Sequence, residues 1–446
     1  MVEFFTPPAT QFDSYGTDDN PFTGHHFCRL ADVYGRAAKS SAPAEHLLLA
    51  EEEPVVFVEA APHDRWQSAM LEELASIEKN GTWMLTNLPA DHTAIGLKWV
   101  FKLKKDAAGT VVKHKARLVA RGCLQKEGVD FNDAFAPVAR LDSVRIMVGT
   151  VAQHGWELHH LDVKSAFLNG ELNEEVYVTQ PPRFARRGED HKVYRLHKAL
   201  YGLRQAPRAW NAKLDATLNE LGFSCYPADH AMYARGRGQS RLLVGVCMDD
   251  LVVTGAGGEC VSKFKAEMMA KFCMSNLRLL NFYLGIEVKQ EGGAIILSQA
   301  AYADKLLEHV GMANYNPTHV PMEPWLCLSK QGQKPRVDAT DYRNIIGGLR
   351  YTKGDESKLV GYSDSDMDSD VDDRKSTSGN IFFLGGAPIT WQSQKQKIVA
   401  LSSCEAEYVA ATTAGCQAIW LGRLMSDLLM EEHGAVTIFV DNKSAI

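Results

Sequence analysis

The chain has 446 residues, 45% of them hydrophobic and 23% charged, with a formal net charge of −7. This is an ordinary globular composition, long enough for two or three domains with cores of their own. It excludes a uniformly basic polyanion binder, and no apolar stretch approaches the roughly 20 residues that a bilayer span needs. Nine cysteines show neither C-x-x-C pairs nor zinc spacing with histidines, and they read as buried free thiols in a reducing compartment. The N-terminus lacks a basic n-region and an apolar h-region, so no secretory signal is expected.

Residues 1–60 are rich in Pro, Ala, His and acidic side chains with little periodicity, so they are expected to be irregular, with a short helix near Ala42–Glu52. In DRWQSAMLEELASIEKNGTW, Trp66, Met70, Leu71, Leu74 and Ile77 recur at three and four, which predicts a helix stopped at Asn80-Gly81. A strand–turn–strand unit follows in LKWVFKLKKDAAGTVVKHKARLVARG, turning at Asp106 to Gly109. Residues 140–300 alternate short strands with helices, including AWNAKLDATLNELGF and VSKFKAEMMAKF, which implies an α/β or α+β body. After Pro317 the pattern loosens until DYRNIIGGLRY. A second pattern starts near Leu359, with strands in GNIFFLGG and PITWQSQ, a long helix from Ser402 to about Leu429, and a strand in VTIFV.

Within the first body, RLLVGVCMDDLVVTG sets Asp249 and Asp250 between two short apolar runs. Burying a carboxylate costs several kcal/mol unless it is paired or holds a metal. Asp162 in WELHHLDVKSAFLNG stands in a like setting, at the C-terminal end of an expected strand. Two such strands side by side would gather the three carboxylates at one sheet edge, where like charges resist ionising together. Bound Mg²⁺ removes that conflict and keeps substrate phosphates in its shell; two such ions about 4 Å apart clamp the oxygens of an in-line phosphoryl transfer. The same pair also reads as a plain solvated hairpin turn, because Asp is common in turns.

Eight Lys and Arg lie between Lys98 and Arg121 against the single acid Asp106, and eight more between Arg183 and Arg208 against Glu189 and Asp190. Basic strands near a carboxylate cluster suit a polyphosphate and a nucleic-acid backbone. In LYGLRQAPRAW, Arg204 or Arg208 offers a fork-shaped donor to bases or phosphates, whereas Tyr201 and Trp210 read as folding residues. The acidic run SDSDMDSDVDD fails as a calcium loop. Started at Asp364, its sixth position is Ser369 rather than Gly and its twelfth is Lys375 rather than Glu, which leaves Asp366 to Asp373 as solvated loop acids.

The motifs KWVFKLKKDAAGTVVKHKARLVARG, FAPVARLDSVR, LDVKSAFLNGEL, KALYGLRQAPRAW, VCMDDLVVTG and YLGIEV stand in the order seen in Ty1/copia-type retrotransposon Pol polyproteins. From about Trp66 to the C-terminus the chain resembles that family. The resemblance implies an α+β right-hand polymerase fold (fingers, palm, thumb) over residues 61–310. It also implies a linker over 311–358 with its connection segment largely deleted, and an RNase H-like α/β domain over 359–446. The implied activity is that of a reverse transcriptase, an RNA-directed DNA polymerase. It would carry out two-metal nucleotidyl transfer from a dNTP to a primer 3′-hydroxyl on an RNA template or DNA primer/template, with Mg²⁺ or alternatively Mn²⁺.

Carried over by resemblance, the metal ligands are Asp162, Asp249 and Asp250, the last the least direct. Phe167 resembles the aromatic gate that selects deoxynucleotides, Arg117 the triphosphate-binding arginine with Lys104 a weaker candidate, and Gln205 the glutamine near the nucleotide sugar. Tyr283, Leu284 and Gly285 resemble the primer-positioning turn. Cys247-Met248 stands where the family usually has Tyr-Val or a similar pair. GYSDSD, DRKSTSGNIFFLGG, ITWQSQKQKIVALSSCEAEYVAA and VTIFVDNKSAI resemble an RNase H domain, with Asp364, Glu407 and Asp441 as its metal carboxylates. Glu405 is set aside because Ser402-x-x-Glu405 is a capping box, worth ~1 kcal/mol to the helix start.

Two departures from the family shape the expectation. Tyr351 is joined to Gly361 by only TKGDESKLV, which reaches ~30 Å fully extended, so an exposed apolar patch or a displaced second domain is expected. The family's later RNase H helices, last strand and final aspartate are not in this sequence, so RNase H activity is expected to be lost. With the capsid, protease and integrase parts also missing, the chain reads as a fragment. The expected location is cytoplasmic, in the virus-like particle of relatives, or nuclear; neither membrane association nor secretion is expected, and the sequence does not give the oligomeric state. The competing reading is a catalytically dead relic that still binds nucleic acid; an unrelated two-metal nuclease fits the motifs less well.

Overall fold

The computed structural model describes residues 53–105, 110–291, 294–309, 311–312, 359–367, 370, 372–385, 387–429, 434–442 and 445. The helix expected near Ala42–Glu52, the Asp106–Gly109 turn, DYRNIIGGLRY and the joint at 351–358 lie outside the described residues. In chain order the elements are α1 (Asp64–Lys79), β1 (Trp83–Thr86), β2 (Leu97–Lys105), β3 (Val111–Ala120), α2 (Leu141–His154) and β4 (His159–Val163). Next come β5 (Glu171–Val178), β6 (Val193–Lys198), α3 (Ala206–Glu220), β7 (Ser224–Tyr226), β8 (Asp229–Arg235), β9 (Leu242–Cys247) and β10 (Asp250–Gly255). Then follow α4 (Gly258–Lys271), β11 (Met274–Leu279), β12 (Phe282–Tyr283), β13 (Ile286–Glu291), β14 (Ala294–Ser298) and α5 (Ala300–His309). The last are β15 (Leu359–Ser365), β16 (Thr377–Leu384), β17 (Ala387–Lys395), α6 (Ser403–Leu429) and β18 (Thr437–Val440).

These elements form two compact units. One contains the described residues up to Ala136 together with Ser165–Ala216. Here α1 buries Trp66, Met70 and Ile77 as its spacing predicts, and Gly81 takes the left-handed φ of +61° that ends the helix. Leu71 departs from the expected face and is 57% exposed, because 100° of rotation carries it off the stripe that Met70 and Ile77 define. Strands β2 and β3 pair antiparallel. Leu97, Trp99 and Phe101 face the core while Lys98 and Lys102 point to water, so strand alternation turns the lysines into an exposed basic face. A second sheet, β1-β6-β5, completes this unit.

The other unit contains Pro137–Lys164 and the described residues from Thr217 onward. Its six-stranded sheet has the order β11-β4-β10-β9-β8-β7, so the two strands bearing the candidate aspartates are neighbours. Strands β12-β13-β14 form a small antiparallel sheet, and β17-β16-β15-β18 form a four-stranded sheet in which β15 and β18 run parallel. Val144, Met147 and Val148 of α2 share one core with Leu384 and Ile389 of the four-stranded sheet and with Leu421 and Leu428 of α6. Gly149 makes room for this packing, since a Cβ there would come within 2.8 Å of the Leu384 side chain. Arg145 Nη1 donates to the Ile389 carbonyl at 2.9 Å. The apolar face of α2 is thus covered by this sheet.

Two expectations are corrected. The cysteines are not uniformly buried: Cys247 is, but Cys123, Cys225, Cys273 and Cys416 are exposed. The acids of the 366–373 loop are not all merely solvated, because Asp370 and Asp373 both pair with Lys395. Among the described residues no helix is long and apolar enough to cross a membrane.

Candidate active site

The aspartate pair sits on a two-residue hairpin. Cys247 and Asp250 are opposite partners across β9 and β10, which leaves Met248 and Asp249 as the turn. A tight hairpin needs a positive φ at its first central position, and Met248 supplies it at +55°, a conformation that costs a non-glycine residue about 1 kcal/mol. Such strain persists only where surrounding structure enforces it. Part of that enforcement is visible, since Val163 N–H of β4 donates to the Asp249 carbonyl at 2.9 Å.

Asp250 lies directly opposite Asp162 across β10 and β4. Directly opposite residues point to the same sheet face, so the two carboxylates are held together by backbone pairing alone. His160 lies two residues before Asp162 on that face. Its Nε2 donates to Asp250 Oδ1 at 2.7 Å, and the histidine is buried at 8% exposure. Tyr283 packs edge-on against His160 with ring centroids 6.2 Å apart. The Tyr283 hydroxyl is buried with no oxygen or nitrogen partner and lies against the Cys247 thiol. Burial, with the charges of Asp250 and Asp249, pushes that thiol up to about 11. Leu284 and Gly285, both left-handed at +50° and +83°, form the β12–β13 turn beside Tyr283.

The other candidate residues belong to the first-described unit. Arg117 on β3 sets its guanidinium 4.6 Å from the centre of the Tyr201 ring. Phe167 meets the same ring at 5.0 Å. Glu73 of α1, buried at 8% exposure, accepts from Leu118 N–H; burial raises its carboxyl above the usual range, while that bond and the Arg117 and Lys115 charges act against the shift. Lys104 is exposed on β2, opposite Lys113. Gln205 is 2% exposed. Its oxygen accepts from Gln125 Nε2 at 3.0 Å and its nitrogen donates to the Asp130 carbonyl at 2.9 Å, so reaching a nucleotide sugar would require this bracing pair to open.

A second carboxylate group lies at the four-stranded sheet. Because β15 and β18 are parallel with Ser363 beside Val440, Asp364 and Asp441 follow as neighbours, and α6 brings Glu407 to them. One oxygen from each lies within 4.8 Å of the others. Glu407 Oε1 accepts from Ser365 N–H at 3.0 Å, and its Oε2 is buried without a partner. Burial, followed by the Asp441 and Asp364 charges, raises the Glu407 carboxyl. A cation would satisfy the orphaned oxygen and offset the repulsion, so the donor set fits a hard divalent ion. Glu405 instead caps α6: its N–H donates to Ser402 Oγ, and its carboxylate accepts from Leu401 N–H at 2.7 Å.

His160, Tyr201 and Gln125 were not singled out as site residues from the sequence. The signal for His160 was the period of two that places it beside Asp162; Tyr201 and Gln125 have partners far away along the chain, and no local pattern marks them.

Residues 80–324 match the profile of the reverse transcriptase (RNA-dependent DNA polymerase) family. The retrovirus-related Pol polyprotein from transposon TNT 1-94 of Nicotiana tabacum is 33% identical over 90% of this chain and 35% of its own length. The corresponding polyprotein from transposon RE1 of Arabidopsis thaliana is 33% identical over 89% of this chain and 30% of its own. A putative transposon Ty5-1 protein of Saccharomyces cerevisiae is 28% identical over 56% of this chain and 98% of its own. The chain therefore spans about a third of the length of the two plant polyproteins.

Proposed function

We propose, from the premise that the chain belongs to the reverse transcriptase (RNA-dependent DNA polymerase) family, that it extends a primer 3′-hydroxyl with dNTPs on an RNA or DNA template. The observation that carries this reading is the register that sets Asp250 opposite Asp162, with Asp249 on the strained turn between β9 and β10. Asp162 and Asp249 would hold Mg²⁺ or Mn²⁺, and Asp250, oriented by His160, supports them. Bound divalent ions would supply charge neutralisation at the attacking and leaving oxygens. On this reading the sheet around β4 and β10 is the palm, β2–β3 belong to the fingers, and the polymerase with its thumb occupies 61–310, followed by a linker over 311–358.

The remaining roles rest on the resemblance to that family. Arg117 neutralises the triphosphate, with Lys104 nearby on the same exposed hairpin and Gln205 bracing the loop that carries Gln125. Phe167 is the gate against a ribose 2′-hydroxyl, and Tyr283 to Gly285 position the primer end. Residues 359–446 form an RNase H-like domain whose Asp364, Glu407 and Asp441 would hold a single cation. The protein acts inside the cell.

Template binding tests the reading. Affinity for a primer–template should fall steeply with salt, because phosphate contacts release counterions. Mg²⁺ with the matching dNTP should then slow dissociation, and Asp162→Asn should abolish that gain. A salt slope with no gain from metal and nucleotide would leave a relic that binds nucleic acid without chemistry.

A further inference from the structure

We infer that Tyr201 is a positioning residue that couples triphosphate binding to sugar selection, an inference that rests on the polymerase reading above. Its ring is the common neighbour of two side chains distant in sequence, the Arg117 guanidinium at 4.6 Å and the Phe167 ring at 5.0 Å. The π-face attracts the cation and holds its plane, while the tilted aromatic pair fixes how far the Phe167 ring can swing. A shift of the arginine on binding phosphate therefore passes to the gate through one side chain.

The backbone beneath Tyr201 is built to keep this contact short. Ala120 N–H at the end of β3 donates to the Tyr201 carbonyl at 2.7 Å. Gly202 follows at φ +89°, and a Cβ there would come within 2.2 Å of the Ala120 oxygen and 2.5 Å of the Val119 side chain. At Gly122 an added Cβ would meet the Gly202 carbonyl oxygen at 2.0 Å. Two glycines thus allow the loop to press directly on the end of the strand that carries Arg117. Phe167 and Arg117 thus share a neighbour whose backbone is held against the end of β3.

The test is single-nucleotide primer extension by the full chain with Tyr201 replaced by Phe, by pentafluorophenylalanine, and by Leu. The first two keep the ring's shape, but fluorination reverses the quadrupole that attracts the guanidinium. Tyr201→Phe is the reference, because it keeps the ring and its π-face. The fluorinated ring should raise KM for the dNTP roughly 3- to 30-fold over Phe, with kcat changed less than about twofold. Tyr201→Leu should add a loss of dNTP-over-rNTP discrimination of about fivefold or more. If the phenyl and fluorinated rings give the same KM, the inference is overturned, and this comparison decides even if Tyr201→Leu does not fold. Absence of extension by the wild type would instead overturn the polymerase reading itself.

Discussion

On the polymerase reading, His160 would set how Asp250 serves a cation. Its Nε2 bond to Oδ1 leaves the other carboxylate oxygen for a metal, the arrangement by which an outer hydrogen bond fixes a ligand's orientation. His160→Ala should weaken the Mg²⁺ dependence of extension by about 10- to 100-fold in apparent metal affinity, whereas His160→Gln, which keeps a donor, should lose less; a Mg²⁺ titration of both variants checks this. Glu73 gives a second test at this scale. Its folded carboxyl lies above the unfolded value, so the folded state holds the proton more tightly. Stability from this group is then fully present below the unfolded pKa and declines as pH rises through the folded one. Glu73→Gln, which has no proton to lose, should therefore gain on the wild type between about pH 4 and pH 7, as read from urea midpoints at the two pH values.

At the scale of elements, the packing of α2 on the four-stranded sheet depends on polar anchors within an apolar core. Arg145 donates to Ile389 O, pairs with Asp142 at 3.5 Å and stacks 4.4 Å over Trp391. Arg241 donates to Asp427 O at 3.0 Å near the C-terminal end of α6, where a cation complements the helix dipole. Arg145→Ala should cost about 2 kcal/mol, since it removes the bond to Ile389 O and one charge partner of the half-buried Asp142; urea unfolding measures it. None of this was legible in the sequence, because α2 and β17 are separated by more than two hundred residues. What was legible had a local cause. The α1 helix followed from its three-and-four spacing and the Asn80-Gly81 stop, and β2–β3 from alternation around a turn. The choice of Glu407 over Glu405 followed from a cap spacing that the Ser402 bond now shows. The gathering of Asp162 with Asp250 followed from two short apolar strands ending in carboxylates. The His160 bond and the Tyr201 contacts arise across strands and loops, where no periodicity points.

For the whole molecule, charge and core are distributed differently. The net charge of −7 hides the exposed lysines of β2–β3, so the proposed binding to a phosphate backbone would depend on a local surface rather than on the sum. The apolar residues of α2, of β8 to β10 and of the four-stranded sheet form one cluster, while Trp66, Trp99, Leu118 and Leu196 belong to another. Hydrogen exchange in rising urea should therefore show α2 and β16 losing protection together, as members of one cooperative unit. Separate loss would contradict a shared core.

The central claim, that the hairpin and its neighbour strand hold catalytic metals, meets its most direct test in primer extension by the purified chain on an RNA template with Mg²⁺, beside an Asp249→Asn, Asp250→Asn variant. The account predicts extension by the wild-type chain and none by the folded variant. A folded, template-binding wild-type chain that adds no nucleotide, or a variant that extends as well as the wild type, would contradict it.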